Sequence, residues 1–210
     1  METKGILTVV SGFSGAGKGT LMHALLQRYP DRYALSISAT TRQPREGEAD
    51  GREYFFKTKD EFEKMIAKDE LIEYARYVEN YYGTPRAYVE EMLEAGKDVI
   101  LEIEVQGAMK VKKAFPDTLL LFVTPPTAEE LKKRLTGRGT ETAEVIGSRL
   151  CRAAEEAEGM GQYDYLIVND KLDVCVEEMH GIIQGEHCRN FRNTQFMEKI
   201  KQDLQELKGE

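Results

Sequence analysis

Cysteine is scarce in this 210-residue chain, and the three that occur, Cys151, Cys175 and Cys188, are far apart and not in C-x-x-C spacing. So odd and scattered a set supports neither a disulfide framework nor a zinc site; it reads as incidental thiols of a reducing cytosol. Long apolar runs are lacking as well. No stretch approaches the roughly 20 residues that a membrane span needs. The start, METKGILTVV, lacks the n-region, long apolar h-region and cleavage site of a secretory signal, so a cytoplasmic protein away from membranes is expected. Positive charge is in deficit: 29 Lys and Arg stand against 37 Asp and Glu, for a net charge of −8. A chain this acidic is a poor candidate for long nucleic acid. An anionic ligand would have to be met by a local gathering of arginines.

The length suits one domain, or one core with small inserted subdomains. Ile6-Leu7-Thr8-Val9-Val10 is apolar and β-branched without polar alternation, as in a strand buried on both faces of a parallel sheet. A glycine-rich turn follows, then Thr20 to Leu26 with apolar residues at helical spacing. Further strand-like runs lie at Val99–Val105, Leu119–Val123 and Tyr165–Val168, separated by helical patterns near 107–114, 127–136, 141–158 and 171–184. This alternation predicts a three-layer α/β/α fold with a central parallel sheet. The expected core is 1–33, 91–136 and 149–185, interrupted by an inserted subdomain at 34–90 and a small polar, glycine-punctuated lid at 137–148. Thr58-x-x-Glu61 predicts a capping box at the start of a helix within the insertion. In the tail, 186–210, the apolar spacing predicts an amphipathic helix. It reads as packed on the chain's own core, with an oligomer contact as the alternative.

Residues Gly12-Phe13-Ser14-Gly15-Ala16-Gly17-Lys18-Gly19-Thr20 fit the phosphate-loop spacing G-x-x-x-x-G-K, between a buried strand and a helix. Glycines let backbone N–H groups converge on phosphate oxygens, the helix N-terminus adds its positive dipole end, and Lys18 supplies a point charge. Gly19 stands where the strict pattern has Ser or Thr, and the hydroxyl comes one residue later, at Thr20. A magnesium ion would therefore take Thr20 as a ligand or keep more of its water. The GKGT ending resembles adenylate-type nucleotide kinases. By itself such a loop implies only a nucleotide phosphate.

The segment 36–54, SISATTRQPREGEADGREY, places Arg42 and Arg45 three apart on one polar loop, with Ser38 before them and Tyr54 after. Guanidinium forks with hydroxyl donors suit a compact phosphate monoester. Here the chain resembles the guanylate kinase family. The family pattern S-x-T-T-R-x-P-R…G-x-x-Y is met by Ser38 to Arg45 and Gly51 to Tyr54. The likeness runs on through Leu71-Ile72-Glu73-Tyr74, Asn80 to Thr84, Leu101 to Gly107, Lys132 to Glu141 and Ile167 to Asp170. It spans about residues 5–185 and implies a P-loop kinase fold whose inserted subdomain binds GMP.

The resemblance also implies roles. Gly12 to Thr20 and Asn169 would bind ATP. Ser38, Arg42, Arg45, Tyr54 and Tyr82 would hold the GMP phosphate, and Glu73, Thr84 and Glu104 would read guanine. Lys18, Arg42, Arg134, Arg138 and Arg149, with Arg152 beside them, would serve the transfer. Mg²⁺ would come with ATP, near Thr20 or, through water, Glu102. The implied reaction is transfer of the ATP γ-phosphoryl to GMP, with dGMP as a further acceptor. The chemistry agrees: guanine offers N1–H and N2–H₂ donors to a carboxylate and O6 to a hydroxyl, whereas adenine would set a bare N1 lone pair against that carboxylate. A phosphate monoester has a second pKa of about 6, so the attacking oxygen is already anionic and no general base is required. His23, His180 and His187 are given no role. Two other readings remain open, a phosphopeptide-binding module of the same fold and a sugar-phosphate kinase. Monomer and homo-oligomer are equally open. The expected partners are ATP and GMP, not nucleic acid or membrane.

Overall fold

A computed structural model describes residues 4–77, 79–137 and 142–208. Five parallel strands form the main sheet: β1 (Leu7–Gly12), β2 (Tyr33–Leu35), β7 (Asp98–Glu102), β8 (Leu119–Thr124) and β9 (Tyr165–Val168), in the spatial order β2-β7-β1-β8-β9. β1 is central, and its alternating side chains explain the layers. Ile6 and Val10 belong to a core shared with α1 (Lys18–Arg28) and α7 (Leu172–His187), through Leu21, Leu25, Val176 and Met179. Leu7 and Val9 face the opposite way, into a core completed by α3 (Arg86–Glu94) and α4 (Val105–Ala114) through Val89, Leu93, Ala108 and Val111. A strand apolar on both faces is thus covered on both faces, as a parallel sheet requires.

The inserted unit is a smaller mixed sheet, β4-β3-β6-β5, built from β3 (Ala39–Thr40), β4 (Phe55–Phe56), β5 (Leu71–Tyr77) and β6 (Asn80–Pro85). Its own core is Ala39, Phe62 and Leu71, with Phe62 of α2 (Lys59–Ala67) stacked on Tyr81 at 5.2 Å between ring centroids. The capping box forms: Thr58 Oγ1 accepts from Glu61 N at 3.2 Å, and Glu61 Oε2 accepts from Thr58 N at 2.7 Å.

Several boundaries differ from expectation. β2 pairs with β7, so residues 34 and 35 belong to the main sheet, and α3 packs on the main core, so the insertion is shorter than 34–90 at both ends. The run expected to be strand through Val105 stops at Glu102, because Glu104 is the N-cap of α4. Within the expected lid 137–148, α5 (Ala128–Thr136) ends just before, and residues from Ala143 onward already form α6 (Ala143–Ala157), with Thr142 Oγ1 accepting from Val145 N. Residues 138–141 lie outside the described residues.

α8 (Thr194–Lys208) forms in the tail, but not packed on the core: none of its residues is buried, and Phe196, Ile200, Leu204 and Leu207 are exposed. α1 with α7 and α3 with α4 already cover the two sheet faces around β1, which leaves that helix no apolar surface there. Among the described residues no helix is long and apolar enough to cross a membrane.

At the N-terminal end of β7 the carboxylate of Asp98, fully buried, ties four segments together. It accepts from Ile6 N at 2.9 Å, from Arg32 Nε at 3.2 Å and from Gln184 Nε2 at 3.4 Å, and His187 Nε2 lies 2.7 Å away. Asp98→Ala is expected to lower unfolding free energy by about 3 kcal/mol, the low end for breaking a buried ion pair because Arg32 keeps some solvent contact. Urea unfolding followed by circular dichroism checks this; a change within experimental error would show the tie to be dispensable.

Candidate active site

β1 ends at Gly12 and α1 begins at Lys18, so residues 12–17 make the turn between them. A Cβ on Gly12 would come within 2.1 Å of the Val123 carbonyl oxygen. Gly17, the N-cap of α1, sits at φ 88°, the left-handed region that favours glycine. The first turn of α1 has no acidic residue and no side-chain cap, so its amide donors remain available to an anion. Lys18 Nζ folds back onto its own loop, 2.8 Å from Gly12 O and 3.2 Å from Phe13 O.

A cavity of about 560 Å³ opens beside this loop. Gly12, Ser14 and Lys18 form one wall, Glu102 and Glu104 another, and Arg149 and Arg152 of α6 a third. Arg149 Nη1 donates to Ser14 Oγ at 3.0 Å. Arg152 bridges two carboxylates, Glu104 at 2.6 Å and Glu156 at 3.2 Å. Glu102 is open to the cavity solvent, yet the protein around it still raises its carboxyl pKa, partly opposed by the Lys18 ammonium. Burial likewise raises Glu156, against the pull of Arg152.

A second cavity, about 320 Å³, lies on the other side of residues 102–104, which line both. It collects Ser38, Tyr54, Tyr82, Glu73 and Glu104, together with Lys110. The Tyr54 and Tyr82 rings meet edge to face at 6.0 Å, and the Arg42 guanidinium lies 5.3 Å from the Tyr54 centroid. Glu73 is nearly buried and accepts a 2.9 Å hydrogen bond from Thr84 Oγ1. Desolvation raises its pKa, and the Thr84 hydroxyl and more distant Lys110 oppose that. A Cβ at position 107 would stand 3.3 Å from Glu73 Oε2, so Gly107 leaves room for the carboxylate.

The remaining residues singled out from sequence fall elsewhere. Arg45 is exposed and does not line the second cavity; its backbone N donates to Glu48 at 2.8 Å. Arg134 lies beneath the phosphate loop, outside the first cavity's lining, donating to Asn169 O at 2.9 Å and Glu130 at 2.9 Å. Asn169 is buried, its Nδ2 donating to Ala16 O at 2.8 Å. Thr20 is exposed and does not line the first cavity. Arg138 lies outside the described residues. The sequence reading missed Glu48, whose two carboxylate oxygens each accept from Arg42 Nη2 at 2.9 Å. Its pKa is lowered first by the Arg45 amide and then by Arg42. The available signal was an acid six residues after one arginine and three after the other.

A parallel sheet whose central strand turns through a glycine loop and a lysine into a helix, with a second small sheet facing that loop, defines a P-loop kinase. The guanylate kinase family model matches residues 4–186. The chain is 51% identical over 201 residues to a guanylate kinase of Bacillus anthracis, covering 96% of this chain and 98% of that one. It is 50% identical over 192 residues to a guanylate kinase of Bacillus subtilis (strain 168), covering 91% and 94%. The crystal structure of guanylate kinase from Anaplasma phagocytophilum matches with a TM-score of 0.71 at 30% identity, over 90% of each chain. The chain belongs to the guanylate kinase family.

The folded-state pKa of the Glu73 carboxyl lies above the unfolded value of about 4.3. The folded state therefore binds the proton more tightly, and the stability linked to Glu73 falls as pH rises through that window. Glu73→Gln is expected to melt higher than the parent at pH 7 in the absence of nucleotide, with the gap closing toward pH 4. Calorimetry across that range tests it; a gap that widens on acidification contradicts the assignment.

Proposed function

We propose that this chain is a cytoplasmic ATP:GMP phosphotransferase that moves the γ-phosphoryl of Mg·ATP to GMP, and to dGMP, giving the nucleoside diphosphate and ADP. The observation that carries the reading is the pair Glu73 and Thr84, a buried carboxylate and hydroxyl beside a cavity that shares Glu102 to Glu104 with the phosphate-loop cavity. A site built from buried hydrogen-bonding groups can reject a base lacking the matching donors by orders of magnitude.

ATP takes the larger cavity, with its phosphates over the amides of residues 12–20 and Lys18 turning from its own carbonyls to the β- and γ-phosphates. GMP takes the smaller one, its guanine toward Glu73, Thr84 and Glu104 and its phosphate toward Ser38, Tyr54, Tyr82, Arg42 and Arg45. The incoming phosphate competes with Glu48 for Arg42. Arg149 and Arg152 stand at the first cavity, where charge on the transferring group would be neutralised, and Arg138 joins them by resemblance. Asn169 and Arg134 support the loop from below through Ala16 and Asn169 O. Since the GMP phosphate is already anionic near neutrality, catalysis is positioning and charge stabilisation.

The donor set suits a magnesium ion that arrives with its nucleotide. Among the described residues no three His, Cys, Asp or Glu converge into a cage. Mg²⁺ is ordinarily held by one or two carboxylates with substrate phosphates and retained water. Glu102 would hold it through water, whereas Gly19 has no hydroxyl to offer and Thr20 is not part of the cavity wall. Bound there, the ion would supply neutralisation of phosphate charge.

Lys18→Ala is expected to lower kcat by roughly 10²–10³-fold or more, as for loss of one transition-state donor. A coupled assay of ADP formation with GMP, dGMP or AMP as acceptor measures it, and unchanged turnover would refute the cradle. In the same assay Glu73→Gln is expected to narrow the GMP over AMP preference by about 100-fold or more. A parent enzyme that uses neither GMP nor dGMP would sink the reading as a whole.

A further inference from the structure

The second cavity is richer in carboxylates than in cations. Glu73 of β5, Glu102 of β7 and Glu104 at the start of α4 line it, with the Tyr54 and Tyr82 hydroxyls; its lining cations are Arg76 and Lys110. Arg76 is engaged by Glu79 at 3.2 Å, whereas among the described residues no ion pair engages Lys110. The Lys110 Nζ donates to the backbone oxygen of Tyr74, the residue after Glu73, at 3.3 Å, and lies 6.0 Å from the Tyr74 ring centroid. One turn earlier on α4, Gly107 leaves room for the Glu73 carboxylate, and residues three apart share a helix face. One face of α4 thus gives Glu73 both its space and a nearby ammonium.

We propose, resting on the assignment of GMP to this cavity, that Lys110 is the positioning residue for base choice: its ammonium holds Glu73 as the anion, and the anion makes this a guanine site. The two protonation states of Glu73 suit different bases. As a carboxylate it only accepts, and matches the N1–H and N2–H₂ donors of guanine. As a carboxylic acid it also donates. Its O–H then meets guanine N1–H donor to donor, while the O–H and the carbonyl oxygen match adenine N1 and the adenine N6 amino group. Protonation therefore does more than weaken GMP; it moves the preference from guanine toward adenine. Burial pushes the Glu73 carboxyl up toward that change and Glu104 adds to it, against the Thr84 hydroxyl and the Lys110 charge. A base bound over Glu73 would strip its remaining water, and the pull of the ammonium grows as the local dielectric falls.

The ratio of kcat/KM for GMP to that for AMP, measured from about pH 5 to 8, tests this; both nucleotides carry the same phosphate monoester, whose own second pKa of about 6 cancels in the ratio. Lys110→Gln keeps a donor for the Tyr74 oxygen and discards the charge. It is expected to lose selectivity at higher pH than the parent, so that its ratio falls several-fold below the parent's at the acid end and rejoins it at the alkaline end. Lys110→Arg, which keeps the charge, is expected to follow the parent. In a Glu73→Gln background, Lys110→Gln is expected to alter the ratio at no pH. A Lys110→Gln profile that superimposes on the parent's, an equal loss in Lys110→Arg, or a shift that survives in the Glu73→Gln background would overturn the inference. Carbon-13 NMR titration of the Glu73 carboxyl in the full chain without nucleotide gives a readout independent of GMP. Lys110→Gln is expected to move its midpoint to higher pH, and an unmoved midpoint would overturn the inference. A parent that phosphorylates neither GMP nor dGMP sinks the functional assignment and the base choice with it, and a moved midpoint would then leave only the link between Lys110 and Glu73 standing.

Discussion

Two polyanions have to be brought into contact inside a protein that is itself negative by eight charges. Their mutual repulsion at bonding distance, in a cleft with low-dielectric walls, is the constraint on which the site depends. Cations that the proposed function assigns to it have protein partners in the structure. Arg42 rests on Glu48, Arg152 on Glu104 and Glu156, Arg149 on Ser14, and Lys18 on the carbonyls of Gly12 and Phe13. In the proposed function an incoming phosphate would replace these contacts, so that binding would be an exchange of partners. Clustered guanidiniums left to face one another would destabilise the fold.

β7 makes that arrangement possible. At its C-terminal end, Glu102 to Glu104 form the partition shared by both cavities, at the edge where ligands of open parallel sheets bind. At its N-terminal end, Asp98 fastens the strand to the segments before β1, before β2 and at the end of α7. One short strand is thus clamped at one end and leads into the wall of both cavities at the other. The clamp fixes the height and register of the partition, while burial beside the two cavities raises the carboxyl pKa of Glu102 and of Glu73 on β5.

Much of this was legible in the sequence because the governing signals are local. A β-branched apolar run, a glycine loop and a helical pattern specify the phosphate cradle within 25 residues of chain. Thr58 and Glu61 specify a helix start within one turn. What escaped depended on distant partners. β2 is three residues long and is a main-sheet strand only because β7 lies beside it. Val105 looks like strand until Glu104 is seen to cap a helix. Arg134 and Asn169 sit in motifs shared with the family, yet which face of the loop they touch depends on how α5 and the end of β9 pack. Glu48 was overlooked because a single acid in a polar loop carries no pattern of its own. The tail helix followed from its amphipathic spacing, but spacing does not say against what the apolar side packs.

The strand order also bears on how the chain matures. β1, the central strand, precedes both of its neighbours in the chain, and they are aligned with it through Leu7 and Val99 on one side and Thr8 and Leu119 on the other. At bacterial or eukaryotic elongation rates, that intervening stretch takes about 5–20 s to synthesise. Throughout that interval Leu7, Val9 and Val10 have no sheet to join. The topology that centres the nucleotide loop therefore leaves an apolar nascent segment waiting for its neighbours, the kind of transient exposure that makes unfinished chains prone to aggregate.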